Sequence, residues 1–210
     1  IEDPGKIVDY HITVAGDNNI ITESHCENFI YNKYNNSWWP MYSHGIGVKG
    51  HGNLDNKYNL VSNSTAVSTL EPFYLRNYGT SNNVIKDCIH TSNGSYGGDP
   101  RQNLTGGLWI WGGADNNIYE RITINDAFYG IAFFDNQEEN NYSGHDIGDN
   151  NIIRNCNFNN IGRVAYFSSS NGAPMHNNKV INCTFNKVEH LFTFNGSQDI
   201  KNLESINSIF

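Results

Sequence analysis

The chain has 210 residues, with 13 Lys and Arg against 21 Asp and Glu, which gives a formal net charge of −8 at pH 7. This length suits one domain, and the acidic balance argues against the phosphate backbone of a nucleic acid as a partner. No apolar run is long enough to span a membrane as a helix.

Asparagine is frequent, with 35 Asn beside 20 Gly. Both residue types tolerate turn conformations, and Asn side chains can hydrogen-bond the backbone of stacked turns. This composition favours an extracellular or cell-surface location. Asn-x-Ser/Thr sequons are weaker support, because so many Asn residues also produce them by chance. They occur at Asn35, Asn63, Asn93, Asn103, Asn141, Asn182 and Asn195.

In chain order, residues 1–16 lack a repeat and are predicted to lead into the fold or to cap it, and 17–29 form a degenerate first coil. Residues 31–45 make an aromatic loop in which Trp38 and Trp39 suit either a cap or a platform for a sugar ring. The chain starts without Met and stops within an apolar pattern, so we expect a processed chain or a piece of a longer protein.

A short pattern then recurs four times, and each copy starts from an Asn pair. Counted from the second Asn as zero, mostly apolar residues stand at +5 and +7 with polar residues between them, as in a strand with one buried face. The zero positions are Asn83, Asn117, Asn151 and Asn178, the +5 positions are Cys88, Ile122, Cys156 and Cys183, and the +7 positions are His90, Ile124, Phe158 and Phe185. Such self-similarity indicates stacked units.

A second short strand follows within each unit. These strands are predicted at 46–49, 73–76, 108–111, 131–134, 164–167 and 191–194. A β-propeller needs four strands per repeat, and a sandwich would not repeat the same Asn, Cys and Phe positions. The pattern therefore predicts an all-β solenoid of about seven parallel coils, in a single domain over residues 1–210.

The four cysteines are predicted to pack as small buried hydrophobes. Cys88, Cys156 and Cys183 share one inward column, and Cys26 falls near the +7 position of an earlier coil. Side chains of in-register parallel neighbours point the same way, so disulfides are not expected. The spacing also lacks the Cys-x-x-Cys and His pattern of a zinc site.

With these repeats, the sequence resembles the right-handed parallel β-helix of the pectate-lyase-like superfamily from about Asp17 onward. Residues between the inward positions of the second strands point outward and form one lateral face. The predicted outward columns are Lys49, Arg76, Trp111, Phe134, Phe167 and Phe194, and beside them Gly47, Tyr74, Trp109, Ala132, Ala165 and Phe192. One half of this face is cationic and the other is aromatic, which suits an acidic polysaccharide.

β-Helix polysaccharide lyases of the alginate-lyase and chondroitinase type use a Lys base and an Arg acid on this face, with calcium neutralising the uronate carboxylate. Lys49 and Arg76 are similar in kind, although the family's longer consensus is absent. By this resemblance, Lys49 is the base, Arg76 is the acid or a carboxylate clamp, and His51 and Tyr78 are supporting proton carriers. Tyr74, Trp109, Trp111 and Phe134 would bind the sugar. The candidate calcium ligands are Asp55, Glu71, Asp87 and Asp99.

Two insertions, 92–107 and 136–149, are long enough to carry function. The first contains Tyr-Gly-Gly-Asp-Pro-Arg from Tyr96 to Arg101, which resembles the Tyr-Gly-x-Asp-Pro-His motif of mannuronan C5-epimerases. Arg101 replaces the catalytic His of that family, so we expect Tyr96 and Arg101 to contact substrate at most, and an ordinary turn is the alternative. The second insertion is acidic and suits either solvent or calcium.

The sequence thus predicts an extracellular β-helix that acts on a uronate polysaccharide by β-elimination, with calcium as its cofactor. The alternative is a non-catalytic fibre, phage spike or adhesin segment whose aromatic face binds glycans or assembles copies of the chain into a homo-oligomer. A hydrolase ranks third, because the outward columns show no close pair of carboxylates.

Overall fold

The structure is a computed structural model that describes residues 9–27, 43–50, 55–67, 71–91, 106–134, 147–169, 174–196 and 199–209. Within these ranges the chain is all β and contains no helix. Every strand pairing among them is parallel.

The strands form three long ladders, A, B and C. Ladder A contains β1 (Asp9–Val14), β4 (Ser43–Lys49), β8 (Glu71–Arg76), β12 (Leu108–Trp111) and the later parts of β14 (Thr123–Phe134), β16 (Asn157–Ser169) and β19 (Thr184–Gly196). Ladder B contains β3 (His25–Glu27), β7 (Thr65–Val67), β11 (Ile89–Thr91) and the first parts of β14, β16 and β19. These three long strands join ladders A and B into one ten-stranded sheet.

Ladder C is a separate seven-stranded sheet. It contains β2 (Ile20–Thr22), β6 (Leu60–Ser62), β10 (Val84–Lys86), β13 (Ile118–Glu120), β15 (Ile152–Arg154), β18 (Lys179–Ile181) and β21 (Glu204–Ile206). Two short pairs complete the described strands: β5 (Asn56–Lys57) with β9 (Thr80–Ser81), and β17 (Pro174–His176) with β20 (Asp199–Lys201).

Each strand pairs with the equivalent strand of the neighbouring repeat, so like positions lie side by side. In ladder B, for example, His90 pairs with Ile124, and Ile124 pairs with Phe158. The predicted +7 column is therefore confirmed. An all-β chain with parallel ladders of this kind is compatible with a solenoid. Residues 9–14, which the sequence places in a lead-in or cap, form β1 and pair with β4.

The chain turns between ladders at residues in the left-handed backbone region, where Asn is the non-glycine residue best tolerated. The column before ladder C consists of Asn18, Tyr58, Asn82, Asn116, Asn150, Asn177 and Asn202. The column after ladder C consists of Glu23, Asn63, Asp87, Arg121, Asn155, Asn182 and Asn207. A third column, Asp126, Asn160 and Lys187, marks the bend inside the three long strands. The high Asn content thus has a conformational cause.

A second set of Asn residues forms a hydrogen-bonded ladder next to the turn column that precedes ladder C, and all of them except Asn19 are buried. Its members are Asn19, Asn59, Asn83, Asn117, Asn151 and Asn178. In a typical step, the backbone N–H and the side-chain amide of Asn83 both donate to Oδ1 of Asn117, at 2.9 and 3.1 Å. Each step satisfies polar groups that burial would otherwise leave without partners.

The interior lies between the ladders and holds the predicted apolar columns. Phe158 stacks on Phe185 with 4.6 Å between ring centroids, and Phe133 stacks on Phe167 at 5.2 Å. The predicted state of the cysteines is confirmed, because all four are free and buried. Burial raises the pKa of the Cys88 thiol to about 11, so it stays protonated and packs as an apolar group.

The predicted register of the last two units is wrong. Phe167 pairs with Phe133 and is fully buried, so Phe167 and its next neighbour Phe194 belong to an inward column. Ala165 and Phe192 pair with the inward Ile131 column for the same reason. Tyr166 faces outward instead. A shift of one residue moves every side chain of a strand to the opposite face.

Candidate functional site: a lateral aromatic patch

Seven aromatic residues form a second hydrophobic cluster on the outer side of ladder A, separate from the interior. We call this cluster the lateral aromatic patch. Its members are Tyr74, Trp109, Trp111, Phe128, Tyr129, Phe134 and Tyr166, with Ala132 among them. A cluster of large rings outside the main core is unusual for a solvated β face and indicates a binding surface or an interface.

Two outward rows of ladder A supply most of the patch. One row runs through Tyr74, Trp109, Ala132 and Tyr166, and the other runs through Lys49, Arg76, Trp111 and Phe134. The predicted order of this second row is confirmed as far as Phe134. The small side chain of Ala132 leaves space beside Trp109, and the Phe134 ring lies parallel to the Trp109 ring at 4.6 Å.

The rings of the patch touch in an unbroken series. Trp111 contacts Phe134 at 5.4 Å between centroids, and Phe134 contacts Tyr166 at 5.3 Å. Tyr166 contacts Tyr129 at 4.6 Å, and Tyr129 contacts Phe128 at 4.6 Å. Because each ring position in this series is fixed by packing against the next, the patch is a preorganised surface.

A guanidinium group lies at each end of this series. Arg76 places its Cζ 3.9 Å from the centre of the Trp111 ring, and Arg163 places its Cζ 4.1 Å from the centre of the Phe128 ring. Arg163 also donates a hydrogen bond from Nε to Oγ1 of Thr193 at 2.9 Å. Lys49 pairs with Arg76 in register, so one end carries two cationic side chains on neighbouring strands.

Burial sets the protonation state of Tyr129 in the patch. Burial and the neighbouring Tyr166 raise the pKa of the Tyr129 hydroxyl, while Arg163 opposes the shift. Tyr129 is therefore a neutral hydroxyl at physiological pH and not a base. The indole nitrogens of Trp109 and Trp111 are both buried, and neither N–H meets an acceptor among the described residues, which is a cost to the folded state.

The structure brings some of the predicted site residues together and separates others. Lys49 and Arg76 are neighbours, but Arg76 is only 6% exposed. Tyr74 and Trp109 are buried and support the patch from below, whereas Trp111 and Phe134 are half-buried. Tyr78 follows β8 and is 48% exposed.

Three other predicted site residues, His51, Tyr96 and Arg101, lie outside the described residues. The two insertions that the sequence singles out, 92–107 and 136–149, also fall largely outside them.

Sequence reasoning missed four residues that complete the patch, namely Phe128, Tyr129, Arg163 and Tyr166. Phe128 and Tyr129 stand between two predicted strands, in a stretch to which the sequence analysis assigns no strand. The structure runs β14 through this stretch. The consecutive aromatic pair next to Gly130 was the available signal, because a solvated turn seldom carries two adjacent rings.

The candidate calcium ligands do not converge on one point. Both carboxylate oxygens of Asp87 accept hydrogen bonds from Arg121, at 2.7 and 2.8 Å, and Asp55 pairs with Lys57 at 2.7 Å. Glu71 is fully buried, and Asp99 lies outside the described residues. Within the described ranges, no group of three His, Cys, Asp or Glu side chains could hold a metal ion. The described candidates therefore do not form a calcium site together. Calcium stays a prediction for Asp99 and the acidic insertion, which lie outside the described residues or largely so.

Two carboxylates, those of Asp115 and Asp149, occupy successive repeats at the corner that follows ladder A. Asp115 accepts a hydrogen bond from the backbone N–H of Asp149 at 2.7 Å, and Asp149 accepts one from the backbone N–H of His176 at 2.5 Å. Burial raises the pKa of Asp115 to about 6. Since both side chains bind backbone N–H groups of the next repeat, their evident role is to join successive corners.

No part of the chain that the structure describes forms a helix able to span a bilayer. Comparison with known proteins adds no information about this site. No protein-family model matches the sequence, and neither a curated protein nor a solved structure is detectably similar to this chain.

Proposed function

We propose that the protein is a right-handed parallel β-helix that binds an acidic polysaccharide on the lateral aromatic patch. One observation carries the proposal: a continuous series of packed rings ends in a guanidinium group on both sides. Flat rings suit the apolar faces of pyranose sugars, and guanidinium groups suit carboxylates. The parallel ladders and repeated corners support the β-helix.

The exposure of the rings fits this role. Trp111, Phe128, Phe134 and Tyr166 are half-buried, so they keep free surface while their orientation is fixed by their neighbours. Arg76 is largely buried, but a guanidinium carries five N–H donors and can hold several partners at once. We therefore assign Arg76 to carboxylate binding and not to proton transfer, because its guanidinium does not lose a proton in proteins.

The reaction that this end of the patch could support is β-elimination. That reaction needs a base for the C5 proton, a neutralised carboxylate and a proton for the leaving oxygen. In our proposal, Lys49 is the base, the neighbouring Arg76 holds the carboxylate, and Tyr78 delivers the proton from its hydroxyl. Catalysis is a proposal beyond binding and has its own test.

Calorimetric titration with polygalacturonate, alginate and hyaluronan, with dextran as the neutral comparison, tests binding. We expect the acidic polymers to bind and dextran to bind weakly. Arg76→Gln should weaken binding about tenfold, because a charge-assisted hydrogen bond is worth about 1.5 kcal/mol or more.

The matched control for this titration is Arg154→Gln, which removes the same charge from ladder C, where Arg154 pairs with Glu120. It should leave the affinity unchanged. Equal binding of dextran and the acidic polymers, or equal losses in the two variants, would rule out the proposed site.

Catalysis is tested by the ultraviolet absorbance of the unsaturated product. If Lys49 is the base, Lys49→Ala abolishes product formation while binding persists. Binding without product in the wild type would leave a glycan-binding protein and remove the lyase assignment.

A second candidate is a non-catalytic fibre or surface protein that assembles from copies of this chain. The lateral aromatic patch favours it too, because packed, half-buried rings on an outer face are also typical of contact surfaces between copies of a chain. Mass measurement in solution decides the matter: a monomer at high concentration contradicts assembly, and a concentration-dependent oligomer supports it.

A further inference from the structure

We infer that the polysaccharide crosses ladder A diagonally, with its acidic groups bound at two subsites, Arg76 and Arg163, that are separated by uncharged aromatic subsites. This inference rests on the proposed function and adds the direction of the ligand, the length of the site and the charge spacing of the preferred polymer.

The strand register fixes the relative positions of the two arginines. Arg76 pairs with Trp111, which lies three residues after Leu108 in β12. Arg163 pairs with Tyr129, which lies two residues before Ile131, the partner of Leu108. The two arginines are therefore displaced by five residues along the strand direction.

They are also displaced across the strands, because β8, β12, β14 and β16 follow one another in the sheet. Strands lie about 4.8 Å apart and residues rise about 3.3 Å along a strand, so the backbone positions of the two arginines are on the order of 20 Å apart along a diagonal. The ring series from Trp111 to Phe128 follows this same diagonal.

Among the described residues, the surface between the two arginines is uncharged. The residues of β12, and those of β14 from Ala127 to Phe134, include no acidic or basic side chain. The face of an aromatic ring is the negative side of its quadrupole, so a carboxylate above it is repelled while a C–H-rich sugar face is attracted. The centre of the patch should therefore reject acidic groups that its two ends accept.

This pattern selects among acidic polymers. A pyranose unit is roughly 5 Å long, close to the distance between strands, so the two arginines are bridged by an oligosaccharide of about five to six sugars. A polymer with a carboxylate on every sugar places several negative groups over the rings. A polymer that alternates uronate with neutral sugars places fewer there and fits better.

Titration with two series of oligosaccharides of two to ten sugars tests the inference. One series is cut from hyaluronan, which alternates uronate with a neutral sugar, and the other from polygalacturonate. We expect affinity for the hyaluronan series to rise steeply up to six sugars and then level off. At six sugars, it should exceed the affinity for the polygalacturonate series at least fivefold.

Arg163→Gln supplies the decisive comparison, with Arg154→Gln as the matched control and circular dichroism as the check of folding. Arg163→Gln should lower affinity for the six-sugar hyaluronan ligand at least fivefold and leave the two-sugar ligand unaffected, because a short ligand cannot reach both arginines. Equal losses at all lengths, or tighter binding of polygalacturonate, would overturn the diagonal site while leaving the proposed function intact. Absence of binding by both series in the wild type would overturn the proposed function itself.

Discussion

Phe133 and Phe134 are neighbours in β14, yet they belong to two regions that follow different rules. Phe133 points inward and stacks on Phe167, the residue that pairs with it in the next strand. Phe134 points outward and contacts three different aromatic residues. Interior positions repeat from strand to strand because every rung meets the same environment. Outer positions vary, so the repeating framework carries the fold and the patch is free to carry recognition.

Replacing each of these two phenylalanines by Ala tests that division directly. Phe133→Ala should lower the free energy of unfolding by about 3–5 kcal/mol, because it opens a cavity in the interior. Phe134→Ala should cost about half as much, because the side chain is half-buried, but it should weaken polysaccharide binding. Denaturant titration and calorimetry measure the two effects. Equal stability losses in the two variants would contradict the separation of interior and patch.

The Asn ladder should show the next largest effect. Asn117→Ala removes the acceptor for both donors of Asn83 and the donor to Thr80 O, all of them buried. Two or more buried groups without partners should cost about 3 kcal/mol. The control is Asn157→Ala, since Asn157 is exposed on the outer side of ladder B, and it should change stability by less than about 0.5 kcal/mol. Urea unfolding distinguishes them.

His90 is an exception within the interior, because it places a titratable ring among apolar neighbours. It is fully buried, neither ring nitrogen has a hydrogen-bond partner within the described residues, and burial lowers the pKa of the ring to about 3. The folded state therefore does not take up the proton that the unfolded state binds below its ordinary pKa of 6.5. The contribution of the neutral His90 ring to the free energy of unfolding is therefore complete above pH 6.5. It is lost as the pH falls towards 3.

His90→Leu should remove that acid sensitivity. The difference in the free energy of unfolding between variant and wild type should be on the order of 2 kcal/mol larger at pH 5 than at pH 7.5, in favour of the variant. The reason is that pH 5 lies 1.5 units below the pKa of His in the unfolded chain. Unfolding curves at several pH values measure the difference. A difference between variant and wild type that is independent of pH would show that His90 takes up a proton in the folded state.

The smallest effect is expected where a corner departs from the repeat. Tyr58 has a backbone φ of 60° in a column otherwise occupied by Asn, and its side chain is 62% exposed. Tyr58→Asn should stabilise the fold by about 1 kcal/mol, because Asn tolerates the left-handed conformation and little packing is lost. Asn116→Tyr in the same column should cost a similar amount. Thermal unfolding measures both shifts, and an unchanged midpoint in both variants would exclude backbone strain as the cause.

The sequence is sufficient to predict the all-β class and the inward Cys and Phe columns of neighbouring strands, because a repeated environment selects repeated residues. Asn19 and Asn59 escaped the pattern, although they belong to the same ladder. Their repeats carry Ser24 and Ser64 where later repeats carry Cys or Ile, and small polar residues do not indicate a buried face of a strand. The positions of the Asn ladder share their hydrogen bonds and not a common hydrophobic pattern around them.

The site was only partly predictable for a different reason. Lys49, Arg76 and Trp111 lie at the ends of strands of seven, six and four residues, so their register could be read from the sequence. In β16, 13 residues run without Gly-Pro or Asn-Gly punctuation, and Tyr166 and Phe167 are both aromatic. Nothing local decides which of the two faces inward. Contacts with the neighbouring strands decide it, and those depend on the whole sheet.

The Asn ladder has a consequence for how such a chain can be altered. Its successive members are separated by 40, 24, 34, 34 and 27 residues, yet the hydrogen bonds between them are alike in length. The amide contacts thus hold neighbouring repeats at the same separation, whatever the number of residues between successive Asn positions. The segments between these Asn residues can be lengthened, shortened or replaced while the strand ladders keep their register. The scaffold therefore suits the exchange of recognition loops.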